Sequence, residues 1–164
     1  MRHFLLAAAT AALAIGTPAL AQSSAERTAA AALDAAPVWD GHNDVPIQLR
    51  SRVGNVINTF DFRDTLDTAT GENSAMHSDL LRLRQGKVGA QWWSVYVSAG
   101  LPEPEAVQAT IEQIDVTKRL IARYPDALQL ALTADDVEQA MAAGRVASLL
   151  GMEGGHSIGS SLAV

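Results

Sequence analysis

Apolar positions along this chain come first as a block and then as a series of short, separated patterns. Residues 4–15 are almost wholly apolar behind Arg2 and His3, and Ala19-Leu20-Ala21 adds small residues. That is the pattern of a secretory signal peptide over residues 1–21, cut between Ala21 and Gln22. About a dozen apolar residues fall short of the roughly 20 that a membrane span needs. Residues 22–35 read as a leader into a short helix, and Pro37-Val38-Trp39-Asp40-Gly41-His42 as a brief buried strand ending in polar residues. Residues 50–75 are rich in Arg, Asn, Thr and Asp and show no period, which predicts a long surface excursion.

The second half is more regular. Ser78 predicts the cap of a helix over 78–85, with Gly86 as its stop. Aromatic and β-branched residues make 88–97 a strand. Val107, Ile111, Ile114 and Ile121 recur at helical spacing and predict a helix over 102–123, ended by Tyr124-Pro125. Residues 128–132 are a short apolar run. Thr133-Ala134-Asp135-Asp136 then predicts a capped helix to Ala143, closed by Gly144, and residues 146–152 a second buried strand. Strands alternating with helices predict an α/β fold of parallel β/α units with right-handed crossovers. In such folds functional residues gather at the carboxyl ends of strands, where His42-Asn43-Asp44 and Glu153-Gly154-Gly155-His156 both fall.

Composition narrows the class. The chain has no cysteine, so an exported protein of this sequence must stand on its core or on metal. The missing cysteine also excludes a lipid-modified one after the signal, which predicts a periplasmic or secreted protein without a stable membrane anchor. A net charge of −6 and a sequence pI near 5.1 argue against nucleic acid as a partner. Removing residues 1–21 leaves 143 of 164 residues, the size of one domain, residues 22–164. An apolar fraction of 48% suffices for a core. Homo-oligomerisation is left open.

Three places in the chain carry candidate chemistry, and each reads in two ways. His42 and Asp44 form an H-x-D pair: on a continuing strand both side chains face one way, and imidazole nitrogen with carboxylate oxygen suits zinc. The other reading is a capped turn before Pro46, with His42 on the surface. Glu153 ends the second strand and is followed by two glycines, which let other groups come close; it is either a bridge between two cations or a solvated loop residue. Gly155-His156-Ser157-Ile158-Gly159 matches G-x-S-x-G, which would make Ser157 the nucleophile of a serine hydrolase. However, Glu-Gly-Gly-His separates the strand from Ser157, and Ser157 also suits the cap of a helix through Val164. Trp92 and Trp93 face opposite sides of their strand and read as packing residues. Tyr96, nearer that strand's end, is the better pocket candidate, and His77 reads as surface.

Trp39-Asp40-Gly41-His42-Asn43-Asp44-Val45-Pro46 resembles the D-G-H-N-D-x-P motif of the membrane (renal) dipeptidase family. Residues 88–96 resemble that family's second strand, and Gly151-Met152-Glu153-Gly154-Gly155-His156-Ser157-Ile158 is similar to the strand end carrying its bridging glutamate. The resemblance implies a zinc-dependent dipeptidase on a (β/α)8 TIM-type barrel. It implies His42 and Asp44 on one zinc, Glu153 bridging two zinc ions, Tyr96 against the dipeptide substrate, and attack by a metal-bridging water or hydroxide. Ile47 stands where the family carries an aromatic residue. The family's remaining zinc histidines, its substrate-polarising histidine and its late catalytic aspartate are expected beyond Val164, so no catalytic residue is expected within the chain. A whole barrel takes about 250 residues. The expectation is therefore an incomplete barrel, its first few β/α units, inactive alone as a truncated amino-terminal portion.

Overall fold

The computed structural model describes residues 23–66 and 75–164. The signal peptide expected over residues 1–21 lies outside them. No helix among the described residues is long and apolar enough to cross a membrane.

Helix α1 (Ser24–Ala35) opens on a reciprocal cap: the Ser23 hydroxyl accepts from the Glu26 amide and the Glu26 carboxylate accepts from the Ser23 amide. Strand β1 (Val38–Asn43) follows, and then α2 (Val45–Val53), which has Pro46 in its first turn. Gly54 ends α2 at φ +57, a left-handed conformation in which its N–H reaches the Leu49 and Arg50 carbonyls.

The surface excursion expected over 50–75 is corrected in its described part. Residues 50–53 complete α2, while Ile57, Phe62 and Thr65, together with Met76 just beyond, are buried. The three apolar ones are spaced irregularly and Thr65 is polar, so no period betrays them. Phe62 packs edge-on against Trp93 at 6.1 Å. A second correction concerns the next helix, α3 (Leu80–Gln85). Its cap is Asp79, whose carboxylate accepts from the Arg82 amide at 2.9 Å, and Ser78 instead exchanges hydrogen bonds with Asn43.

Strand β2 (Val88–Val95) leads to α4 (Glu103–Arg123). The stripe α4 buries follows the periodic positions only in part: Ile121 is buried and Val107 and Ile114 are half-buried. Ile111 is 62% exposed, and the inward face runs through Ala106, Thr110, Gln113, Thr117 and Leu120. The two threonines fit there because they are satisfied locally, their hydroxyls donating back to the Ala106 and Gln113 carbonyls, and the Gln113 side-chain oxygen accepts from Arg50 on α2. Strand β3 (Leu128–Leu130), helix α5 (Ala134–Ala142) and strand β4 (Val146–Met152) complete the regular elements, with the predicted Thr133–Asp136 capping box present.

All strand pairs are parallel, in the order β1-β2-β4-β3. Strands β1, β2 and β4 lie side by side in chain order, and β3 pairs only with Val146, Ala147 and Ser148. Val146 and Leu150 pack with Trp93, Val116 and Leu120 in the main core, whereas Ala147 and Leu149 pack with Val137, Ala140 and Met141. Alternation along β4 therefore places α5 on the face opposite α4. The carboxyl ends of β1, β2 and β4 converge on one side of the sheet, with Glu153 one residue past β4.

Candidate metal centre

β1 and the start of α2 deliver the first two side chains. Asp44 occupies the N-cap position of α2, but its carboxylate makes no capping bond there. It turns to His42 instead, with Nε2 and Oδ1 3.2 Å apart. The capped-turn alternative for this stretch thus fails at Asp44. Asn43 takes over the local bonding: its Oδ1 accepts from the Val45 amide, while its Nδ2 donates to Ser78 Oγ at 2.9 Å and to Gln91 Oε1 at 3.3 Å. Asp40 Oδ1 accepts from the His42 amide at 3.1 Å, which fixes the other side of the turn.

Glu153 completes the group from β4. Its Oε2 lies 3.7 Å from His42 Nε2, and the donor atoms of His42, Asp44 and Glu153 all fall within 4.8 Å of one another. The three side chains remain about half exposed. A zinc ion bound tetrahedrally at about 2.0–2.2 Å from each donor holds neighbouring donors about 3.3–3.6 Å apart. The two distances to His42 bracket that spacing, and the donor set of one nitrogen and two carboxylates suits a borderline cation. Beside the trio lies a cavity of about 420 Å³ whose wall includes Gln48, Arg52, Met76 and His77. His77 is exposed, as expected, yet it faces this cavity.

The chain after Glu153 is held tightly. Gly154 has φ +87, and a Cβ there would meet the His156 ring at 2.5 Å, so only glycine fits. The His156 imidazole bonds the Val97 carbonyl at 2.9 Å. Ser157 lies in a 3-10 turn, Gly155–Ile158, rather than capping a helix through Val164. Its side chain is buried and its hydroxyl donates to the Glu153 carbonyl at 3.1 Å. An exposed nucleophile on a strand-to-helix elbow is not formed here.

Tyr96 follows β2 directly and is half-buried, but it does not line the cavity beside His42 and Asp44. Trp93 is fully buried in the core as expected; Trp92 is only partly buried and lies over Gly151. Sequence reasoning missed Ser94, whose hydroxyl donates to Glu153 Oε2 at 3.1 Å, and the Asn43–Ser78–Gln91 cluster. A polar residue at position 91 or 94 inside an otherwise apolar strand was the available signal.

Parallel β/α units that bring a histidine and two carboxylates together at their strands' carboxyl ends are the architecture of barrel-type metallohydrolases. The chain belongs to the membrane dipeptidase family, peptidase family M19, whose profile matches residues 26–164. It is 38% identical over 128 residues to Dipeptidase 3 of Mus musculus, covering 78% of this chain and 24% of that protein. Two solved structures share its fold. A metallo peptidase from Rhodobacter sphaeroides, liganded with a phosphinate mimic of the dipeptide L-Ala-D-Ala, superposes with a TM-score of 0.58 at 18% identity, over 74% of this chain and 39% of that one. The dipeptidase AC, a metallo peptidase of family M19, gives 0.58 at 19% identity, over 74% and 38%. The expected fold class, an α/β chain forming the first units of a TIM-type barrel, is borne out. The chain spans about a quarter of the curated relative's length and about two-fifths of each solved chain.

Proposed function

We propose that the whole protein of which this chain forms part is an exported zinc dipeptidase, with His42 and Asp44 on one zinc ion and Glu153 bridging two. The observation that carries this is the convergence of His42 Nε2, Asp44 Oδ1 and Glu153 Oε2 at donor spacing. Membership of the dipeptidase family supports it, and the dipeptide mimic bound by the Rhodobacter relative supports dipeptides as substrates. When bound, the zinc ions would supply Lewis-acid polarisation of the scissile carbonyl and a hydrolytic water of lowered pKa.

This chain's own residues do the holding. Asp40 and Asn43 clamp the backbone on either side of the H-x-D turn, so His42 and Asp44 need little ordering when a cation arrives. Tyr96, at the end of β2, is assigned to the substrate side. The remaining metal ligands and the groups that polarise the substrate are assigned to other strands, so residues 22–164 alone would not hydrolyse dipeptides.

The test is hydrolysis of simple dipeptides by the full-length protein. Activity should vanish on chelation, return with zinc, and fall at least about 100-fold in His42→Ala and Asp44→Ala, the scale that even indirect disturbance of a metal ligand reaches. Hydrolysis that survives both chelation and these substitutions would overturn the proposal. Measurable dipeptidase activity in isolated residues 22–164 would overturn the assignment of the missing ligands.

A further inference from the structure

Ser94 is a buried polar residue on β2 whose hydroxyl bonds the Glu153 carboxylate. It stands directly across from Gly151 on β4. From there the Ser94 hydroxyl reaches Glu153, just past the end of β4, and donates to Oε2 at 3.1 Å. That is the same oxygen that lies 3.7 Å from His42 Nε2. The carboxylate is half exposed and stands beyond the last residue of its strand, so without this bond its two terminal torsions would be free.

We infer that Ser94 is a positioning residue that decides which oxygen of Glu153 is presented to the cation held by His42 and Asp44. A carboxylate oxygen has two acceptor sites. The Ser94 hydroxyl takes one on Oε2 and leaves the other for the cation shared with His42 and Asp44. Oε1 is then left to face a second ion. A serine suits this task because it donates one hydrogen bond without adding charge, so the carboxylate keeps its full strength as a ligand. The hydroxyl belongs to an inner strand of the sheet, paired on both sides, rather than to one of the loops around the site. β2 also carries Gln91, which bonds Asn43 between the other two ligands, so one strand orients groups contributed by both of its neighbours.

The inference rests on Glu153 being a ligand, and the experiment separates the two. Zinc affinity of the full-length protein is measured by competition with a chromophoric chelator. The visible bands of the cobalt(II) form, and the melting temperature of the metal-free protein, are recorded alongside. Ser94→Ala should weaken metal binding about 10–100-fold and shift the cobalt bands, with metal-free melting unchanged. Ser94→Thr, which keeps the hydroxyl, should restore most of the affinity. Wild-type affinity and cobalt bands in Ser94→Ala, with Glu153→Gln impaired, would overturn the role of Ser94 while leaving Glu153 a ligand. Wild-type affinity in Glu153→Gln would overturn both. A loss in Ser94→Ala that tracks a lower metal-free melting temperature, or that Ser94→Thr fails to restore, would make Ser94 structural only and would also overturn the role.

Discussion

Glu153 is held from three directions by its own chain. Its amide points to the Val95 carbonyl, its carbonyl accepts the Ser157 hydroxyl, and its carboxylate accepts the Ser94 hydroxyl. Ser157 is therefore part of the support for Glu153, in spite of the G-x-S-x-G pattern around it. Ser157→Ala should cost about 1 kcal/mol of stability, the worth of one hydrogen bond, and leave dipeptide hydrolysis within a few-fold of wild type. A fluorophosphonate probe should not label the protein; labelling that disappears in Ser157→Ala would contradict this. At this scale the three donors were legible, because each lies in a motif at a strand end. Ser94 and Asn43 were not: their partners lie 59, 48 and 35 positions away, and only the strand register brings them together.

Among the elements, the segment between α2 and α3 depends on one ionised group. Asp79 is fully buried and its Oδ2 accepts from the Thr65 amide and hydroxyl and from Arg82, whose guanidinium also reaches the His77 and Met76 carbonyls. Burial alone raises the Asp79 pKa, but the bonds from Arg82 and Thr65 outweigh it and hold the carboxyl below its ordinary value. A pKa lowered by folding adds stability above the ordinary carboxylate range, and that stability is lost as the pH falls through the folded value. Asp79→Asn should therefore destabilise by about 2–3 kcal/mol at pH 7. The gap from wild type should narrow below about pH 4, as denaturant midpoints at pH 7 and pH 3 would show; a constant gap would contradict the linkage. Helices α1, α4 and α5 were legible from caps and length. Helix α2 was not, although Val45, Leu49 and Val53 keep a spacing of four and Gly54 marks the stop. The buried face of α4 was legible only in part: Ile121 lies on it, but so do Thr110, Gln113 and Thr117, whose hydrogen bonds hydropathy does not register.

Over the whole molecule, the sheet explains where the site is. Adjacent parallel strands β1, β2 and β4 bring their carboxyl ends together, which gathers residues 42, 44 and 153 from opposite ends of the chain. Parallel alternation was readable in the sequence; the place of β3 beyond β4, and of α5 on the opposite face, was not, since strand order is set by packing rather than by local pattern. Residues 149–152 pair with β2 on one side only among the described residues, and burial falls along β4 toward that end. The central claim, that His42, Asp44 and Glu153 hold zinc, is tested most directly by metal content. Full-length protein and its His42→Ala, Asp44→Ala and Glu153→Gln variants are dialysed against buffer and assayed for bound zinc. The account predicts two zinc ions per chain in the wild type and the loss of at least one in every variant, with the circular dichroism unchanged. A full zinc complement in all three variants would contradict it.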